Sequence, residues 1–187
     1  RDGSTYRVLT PGGAVRAVPR GKMKRDTPPV VVGDRVRLDT EVETGLLAIA
    51  GVDNRTSLLS RRVPEGRGAR PVAANIDQVL VVTATRDPDP VPQLIDRLLV
   101  VAEANQIPAA VVLNKIDLDP GKALRERFVR AGYSVIGTST KTGEGLEELR
   151  AALAGRESVV TGPSGAGKSS LLNALEPGLK LRTGEIS

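Results

Sequence analysis

The segment that most constrains the fold is VVTGPSGAGKSS, residues 159–170 of a chain of 187 residues. It matches the pattern G-x-x-x-x-G-K-[ST] at Gly162, Gly167, Lys168 and Ser169. The glycines of this pattern let successive backbone N–H groups point at phosphate oxygens. An apolar run precedes the segment and helical spacing follows it, a context that favours phosphate binding over a merely structural turn. In that interpretation Lys168 offers a positive charge to the β- and γ-phosphates, and Ser169 places a hydroxyl on Mg²⁺.

The segment VVLNKIDL, residues 111–118, carries a second pattern, N-K-x-D, at Asn114, Lys115 and Asp117. Guanine presents two adjacent donors, N1–H and the 2-amino group, and the Asp117 carboxylate can accept both. Adenine lacks both donors, and an unpaired buried polar group is costly, so the pattern selects guanine. Asn114 can hydrogen-bond the base or neighbouring loops, and Lys115 can cover the base with its stem. Taken alone, the motif is also compatible with a merely polar end to a strand.

A third segment, TSTKTGEG (138–145), follows another apolar run. Ser139, Thr140 and Lys141 resemble the S-A-K loop whose backbone contacts a nucleotide base. This similarity carries little information by itself, but all three loops leave the same ends of consecutive predicted strands. Ligands bind outside those carboxyl ends in open α/β sheets. Together the three loops predict a guanine nucleotide site.

Strands and helices alternate from Asn75 onward, which predicts a parallel sheet with helices on both faces. Nearly continuous apolar runs predict buried strands at 78–85, 109–113, 134–139 and 158–162. Apolar residues recur at helical spacing after each strand, at 94–102, at Leu124 and Phe128, at Leu146, Leu149 and Leu153, and from 168 to about 175.

The first sixty residues carry short apolar runs separated by turn residues, which predicts a small all-β barrel resembling the oligonucleotide-binding (OB) fold. The predicted strands are Tyr6–Leu9, Val30–Val32, Val36–Leu38 and Leu46–Ile49. A stretch rich in Arg, Gly and Pro then predicts a flexible linker. The predicted domains are a barrel at 1–60, this linker at 61–74, and an α/β P-loop domain at 75–187.

Charge is distributed unevenly along the chain. Residues 1–70 contain 14 Lys and Arg against 8 Asp and Glu, whereas residues 71–187 contain 13 against 14. A basic first module is typical of a polyanion partner, RNA above all, although a generic solubilising charge is the alternative. The basic loop 19–29 is either simply solvated or faces RNA. Tyr6 is the only aromatic residue of this module, so phosphate contacts and shape would outweigh base stacking.

The chain contains no Cys and no His, which removes disulfides, thiol nucleophiles, imidazole bases and zinc sites built from them. It has no run of about 18 apolar residues, and its first residues do not resemble a signal peptide. A cytoplasmic protein without membrane contact is therefore expected.

The three motifs resemble those of the GTPase superfamily in permuted order, because the base loops precede the phosphate loop. In ordinary GTPase numbering, the predicted strands are the fourth, fifth, sixth and first. In that superfamily the first strand lies beside the fourth, so a continuous sheet can form in either chain order. Domain termini often lie close enough together for such rewiring.

The permuted order of the three motifs, preceded by a basic barrel, resembles one family, the bacterial small ribosomal subunit biogenesis GTPase A family. The similar segments are VVVGDRVRL (30–38), ANIDQVLVV (74–82), NKIDL, KTGEGL, GPSGAGKSSLLNAL and TGEIS (183–187). The resemblance implies GTP hydrolysis stimulated by the small (30S) ribosomal subunit, with a role in late maturation and barrel contact with 16S rRNA. A monomer is expected. The resemblance implies that Lys168 and Ser169 are the catalytic pair and that Ser169 binds Mg²⁺. It also implies contacts with GTP or GDP at Asn114, Lys115, Ile116, Asp117, Gly162, Pro163, Ser164, Gly165, Ala166, Gly167, Lys168, Ser169 and Ser170.

The end of the chain departs from the family pattern. It stops at Ser187, before the switch Thr that completes Mg²⁺ coordination and before the D-x-x-G of the second switch. The family's C-terminal zinc domain follows normally, but this chain has no Cys or His to bind Zn²⁺. The expectation is a truncated segment that binds GTP or GDP weakly and hydrolyses GTP poorly, within a longer protein that is a GTPase. No residue stands out as the group that positions the attacking water.

Three functions are compatible with these features. The first is a ribosome-stimulated GTPase, and the second is an RNA-binding GTP switch that does not act on ribosomes. The third is an ATP-using P-loop enzyme in which N-K-x-D occurs by chance. Competition between nucleotides separates the third from the others, and stimulation by small subunits separates the first from the second.

Overall fold

The structure, a computed structural model, describes residues 5–19, 29–40, 47–62 and 68–176. Outside the described residues lie most of the basic loop 19–29, the predicted strand start at Leu46, the linker residues 63–67 and the final TGEIS. Within the described ranges an all-β part precedes an alternating α/β part, as predicted. No helix in these ranges combines the length and the apolar character that crossing a membrane requires.

Four strands form the N-terminal sheet: β1 (Tyr6–Thr10), β2 (Gly13–Pro19), β3 (Val36–Thr40) and β4 (Leu47–Val52). Their order is β1-β2-β4-β3, with antiparallel outer pairs and a parallel central pair. Ala17 of β2 and Ala48 and Ile49 of β4 form its buried apolar centre. No strand is predicted from the sequence at β2, because Arg16 divides its apolar residues into two pairs that form neither a continuous run nor a strict alternation.

The strand predicted at Val30–Val32 is wrong. The Asp34 carboxylate accepts a hydrogen bond from Val31 N at 2.8 Å and closes a turn. Only an isolated bridge between Val32 and Ala73 remains of the predicted extended pairing. A short apolar run directly before Gly33–Asp34 therefore belongs to the turn that follows it.

The linker predicted at 61–74 also differs from the structure, because much of it is regular. Strand β5 (Leu58–Arg62) pairs antiparallel with strand β6 (Ala69–Ala74). Pro71 lies beside a register shift in this pair, where a residue without an N–H donor does least harm to the ladder. The Arg, Gly and Pro content that predicts a linker is thus accommodated by an irregular two-stranded sheet.

The α/β part is built on four parallel strands: β7 (Gln78–Ala84), β8 (Ala109–Asn114), β9 (Ser134–Thr138) and β10 (Ser158–Thr161). Each strand begins and ends within one residue of its prediction. Their order is β10-β7-β8-β9, with every neighbouring pair parallel. The prediction that the last strand lies beside the first of the four is therefore confirmed.

Four helices cover the two faces of this sheet: α1 (Pro92–Ala104), α2 (Lys122–Arg130), α3 (Leu146–Leu153) and α4 (Lys168–Leu175). Val81 packs in one core with Ile95 of α1, whereas its neighbour Leu80 packs in a second core with Leu171 of α4. All seven residues of β7 are buried, as expected for a central strand covered on both faces.

Polar contacts order the turn before β3, and one of them connects this turn with the segment before β7. Arg55 Nε donates to Asp34 Oδ1 at 2.7 Å and Arg55 Nη2 donates to Pro29 O at 2.8 Å. Asn75, three residues before β7, donates from Nδ2 to Gly33 O at 2.9 Å. The Asn75 contact lies at the amino end of β7 and so leaves the carboxyl ends of the parallel strands available for a ligand.

Candidate functional site

Three loops leave the carboxyl ends of β8, β9 and β10: the base loop (114–117), the second base loop (138–145) and the phosphate loop (162–167). The base and phosphate loops are joined directly, because Asn114 Nδ2 donates a hydrogen bond to Ala166 O at 2.9 Å. Both residues are buried, Asn114 to 1% exposure. Asn114 and Ala166 are 52 positions apart in the sequence, so their hydrogen bond brings the two motifs together at the carboxyl ends of the strands.

The Asn114 side chain also reaches the second base loop. Its Oδ1 accepts a hydrogen bond from Thr138 Oγ1 at 3.2 Å, and Ile116 N donates to Thr138 O at 3.2 Å. Asn114 thus links all three loops through its amide group. The sequence leaves two roles open for Asn114, a hydrogen bond to the base or hydrogen bonds to neighbouring loops. In the structure, its described hydrogen bonds are to neighbouring loops.

The carboxylate of Asp117 is oriented by Ser139. Ser139 Oγ donates to Asp117 Oδ1 at 2.6 Å and accepts hydrogen bonds from the backbone N of Lys141 and Thr142, each at 3.2 Å. Ser139 is completely buried, whereas Asp117 is exposed. The carboxylate is therefore held in one orientation and remains accessible to a base.

Glycine is required in the phosphate loop by close contacts as well as by backbone conformation. At Gly162, with φ of 143°, a Cβ atom would lie 1.9 Å from Val82 O. At Gly167, with φ of 86°, a Cβ would lie 2.3 Å from Asn114 Nδ2. Any larger residue would displace either the neighbouring strand or the asparagine that joins the loops. The backbone is thus free to form the inward-facing curve that the motif predicts.

Lys168 lies at the first position of α4 and turns back over the loop. Its Nζ donates to Gly162 O at 2.9 Å and to Pro163 O at 2.8 Å. The first N–H groups of a helix have no acceptor within it, so they attract an anion placed beside Lys168. Ser169 is half-buried at the next position. This glycine cradle with a helix terminus, a lysine and a hydroxyl suits a phosphate chain and its Mg²⁺.

The remaining predicted contacts lie on the same loops. Thr140 and Lys141 are exposed, Lys115 and Ile116 are half-buried, and the others range from buried to exposed along the phosphate loop and the start of α4: Pro163, Ser164, Gly165, Ala166 and Ser170. The structure therefore brings every predicted contact to one end of the sheet.

One residue of this region was not predicted from the sequence. Thr85 follows β7 directly, and its backbone N donates to Asn114 O at 2.9 Å. Its hydroxyl donates to Lys115 O at 2.9 Å. The sequence carries a signal for Thr85, namely a polar residue directly after a buried strand. Because β7 ends on the same side of the sheet as its neighbours, such a residue lies beside the candidate loops.

Comparisons with known proteins agree with this geometry. A family model described as RsgA GTPase matches residues 52–187. The small ribosomal subunit biogenesis GTPase RsgA of Gemmatimonas aurantiaca is 47% identical, with the alignment covering 99% of this chain and 63% of the relative. The protein of the same name from Thermotoga maritima is 42% identical, and the corresponding shares are 90% and 55%.

Two solved structures are similar to the whole described architecture. The crystal structure of YjeQ from Thermotoga maritima matches with a TM-score of 0.72 and 39% identity, covering 96% of this chain and 63% of that one. YloQ, described as a circularly permuted GTPase, matches with a TM-score of 0.67 and 30% identity, covering 95% and 62%. The chain therefore spans less than two thirds of the length of these relatives. The predicted fold class, an all-β N-terminal part followed by a circularly permuted GTPase fold, is confirmed. With its family match over more than half of its length, the chain belongs to the RsgA GTPase family.

Proposed function

We propose that the protein binds GTP and hydrolyses it during late maturation of the small (30S) ribosomal subunit, which stimulates the hydrolysis. The observation that carries this proposal is the hydrogen bond between Asn114 and Ala166, since it joins a guanine-reading loop to a phosphate-binding loop. The relatives support the ribosomal role through their names, small ribosomal subunit biogenesis GTPase.

Each loop has a distinct task in nucleotide binding. Asp117, oriented by Ser139, accepts hydrogen bonds from N1–H and the 2-amino group of guanine. The stem of Lys115 covers the base, and the glycine cradle with Lys168 binds the phosphates. Ser169 would hold Mg²⁺, which neutralises charge on the phosphates when it is bound.

The reaction in the complete protein is an in-line attack of water on the γ-phosphorus. The bond between this phosphorus and the oxygen that bridges it to the β-phosphate breaks, and GDP leaves with that oxygen. Negative charge grows on the bridging oxygen, within reach of Lys168 and of the first N–H groups of α4. The chain thus contributes mainly positioning and electrostatic stabilisation.

The N-terminal part is the proposed contact with 16S rRNA. Arg7 lies directly opposite Arg16 on β1 and β2, and Arg61 lies opposite Arg70 on β5 and β6; all four are exposed. Like charges placed directly opposite each other destabilise a strand pair, and a bound polyanion relieves that repulsion. We propose that the protein is a cytoplasmic monomer whose α/β P-loop domain begins at residue 75, as the sequence predicts.

The deciding experiment measures GTP turnover by the complete protein with and without purified small ribosomal subunits. The proposal predicts low turnover that rises when subunits are added, and turnover that is lost in Lys168→Ala while thermal unfolding is unchanged. Equal turnover with and without subunits would favour a GTP switch acting elsewhere. Tighter binding of ATP than of GTP would remove both guanine functions.

A further inference from the structure

The segment Thr85–Pro88 lies between the two halves of the nucleotide site. In the sheet order β10-β7-β8, strand β7 is flanked by the strand before the phosphate loop and by the strand before the base loop. The residues that follow β7 therefore emerge between those two loops. Neither nucleotide-binding motif includes them, yet they contact both.

Contacts with the base loop involve its backbone and its lysine. Thr85 N donates to Asn114 O at 2.9 Å, and Thr85 Oγ1 donates to Lys115 O at 2.9 Å. In the opposite direction, Lys115 Nζ donates to Asp87 O. Lys115 has a φ of 63°, a left-handed conformation that is sterically unfavourable for a residue with a Cβ atom. The segment therefore stabilises a conformation that Lys115 would not favour alone.

Contact with the phosphate loop is made by Pro88. A Cβ atom at Gly165 would lie 3.1 Å from Pro88 Cδ, so the proline ring packs against the outer turn of the phosphate loop. Gly165 has a φ of 74° and is exposed apart from this contact. Pro88 thus limits outward movement of a turn whose glycine has wide conformational freedom.

We propose that Thr85–Pro88 is a positioning segment that holds the base loop and the phosphate loop at a fixed separation and thereby sets how long a bound nucleotide remains. The inference rests on the proposed function, because it concerns the same guanine nucleotide site. Release of the nucleotide requires Lys115 to move off the base and the phosphate loop to relax, and the segment opposes both movements. Base preference should be unaffected, because under the proposed function the base is read by Asp117, which Ser139 orients.

The test compares dissociation of fluorescent GDP from the complete protein and from variants at Thr85. Thr85→Val keeps the side-chain shape and removes the hydroxyl donor, so GDP should dissociate about fivefold faster, the effect of one net hydrogen bond. Thr85→Ser keeps the donor and should restore dissociation to near the original rate. The ratio of GDP to ADP affinity should remain the same in all three proteins.

A double-mutant cycle with Lys115→Met distinguishes positioning from general destabilisation. If Thr85 acts through Lys115, the effects of Thr85→Val and Lys115→Met on GDP dissociation are not additive. Pro88→Ala, at an exposed site, provides a variant that does not depend on a buried change and should give a smaller increase in rate.

The outcomes separate this inference from the function on which it rests. Failure of the original protein to bind GDP would overturn both. Normal binding with unchanged dissociation in Thr85→Val and Pro88→Ala, or strictly additive effects in the cycle, would overturn the positioning role alone. Should Thr85→Val not fold, Pro88→Ala decides by the same criterion.

Discussion

The two parts of the molecule are stabilised in different ways. In the α/β part, β7 is buried along its whole length and two apolar cores cover the two faces of the sheet. Among the described residues of the N-terminal sheet, the buried apolar ones are few: Ala17, Ala48 and Ile49. Beside this sheet, the ion pair between Asp34 and Arg55, with side chains 1% and 13% exposed, connects the turn before β3 with the segment after β4.

This difference has consequences for function. A sheet packed on both faces can hold loops with an unfavourable backbone conformation, such as that of Lys115, because its strands over-determine their positions. The N-terminal sheet depends on individual polar contacts, so single substitutions there should change stability and leave nucleotide binding intact. Substitutions at the carboxyl ends of β8 and β10 should change binding.

Gly162→Ala should have the largest effect. A Cβ would lie 1.9 Å from Val82 O, and a φ of 143° is unfavourable for alanine, so the start of the phosphate loop must move. We expect loss of measurable GDP binding and a fall of about 3 kcal/mol in the free energy of unfolding. Gly132→Ala is the matched control, since that glycine has a φ of 91° with no atom near its Cβ position. Retained GDP binding in Gly162→Ala would contradict the assigned loop geometry.

Arg55→Met tests the other half of the comparison. It leaves the buried Asp34 carboxylate without its partner, which should lower the free energy of unfolding by about 3 kcal/mol. GDP affinity, measured by titration below the unfolding transition, should not change. Arg37→Met is the control, because the exposed Arg37–Asp53 pair at 3.7 Å should contribute less than about 1 kcal/mol. Equal effects of the two substitutions would remove the distinction drawn between the parts.

Asn114→Ala should act on binding and stability together. It removes the hydrogen bond to Ala166 O and leaves buried partners at Thr138 and Ala166 unsatisfied, at a cost of about 1–3 kcal/mol. Denaturant unfolding and GDP titration measure the two effects. A loss of stability with unaltered GDP affinity would mean that the loops bind nucleotide without being joined.

The smallest effect is expected at a polar contact on the surface of the α/β part. Tyr133 donates a hydrogen bond to Glu103, and this bond, with burial, raises the pKa of Tyr133 to about 12. The neutral phenol is thus favoured in the folded state, so its contribution to stability is complete below pH 10 and is lost as the pH rises towards 12. Phenolate absorbance should show a transition near pH 12 that disappears in Tyr133→Phe. If the transition that Tyr133→Phe removes lies near the ordinary value of 10, the contact is not made.

The α/β part could be predicted from the sequence almost residue by residue, since buried parallel strands are continuous apolar runs and their helices show regular spacing. The N-terminal part was less predictable. Strand β2 places Arg16 between apolar residues, and β6 carries Pro71 beside an irregular register, so neither looks like a strand locally. Val31 was assigned to a strand because the sequence does not show that Asp34 accepts its N–H.

The residues of the candidate site also differ in how well the sequence predicts them. The residues of N-K-x-D and of the phosphate loop are local patterns, so their chemistry could be predicted from short segments. The contact of Asn114 with Ala166 and the role of Thr85 depend on β7 lying between β8 and β10. Contacts of this kind follow from the strand order, which a motif does not contain.

The most direct test of the account is nucleotide preference in Asp117→Asn. Xanthine has a carbonyl where guanine has its 2-amino group, and an asparagine amide donates to that carbonyl as the Asp117 carboxylate accepts from the amine. The complete protein should bind GDP more tightly than xanthosine diphosphate, and Asp117→Asn should reverse that order. An unchanged preference for GDP in the variant would show that residues 114–117 do not read the base of the nucleotide held by the phosphate loop.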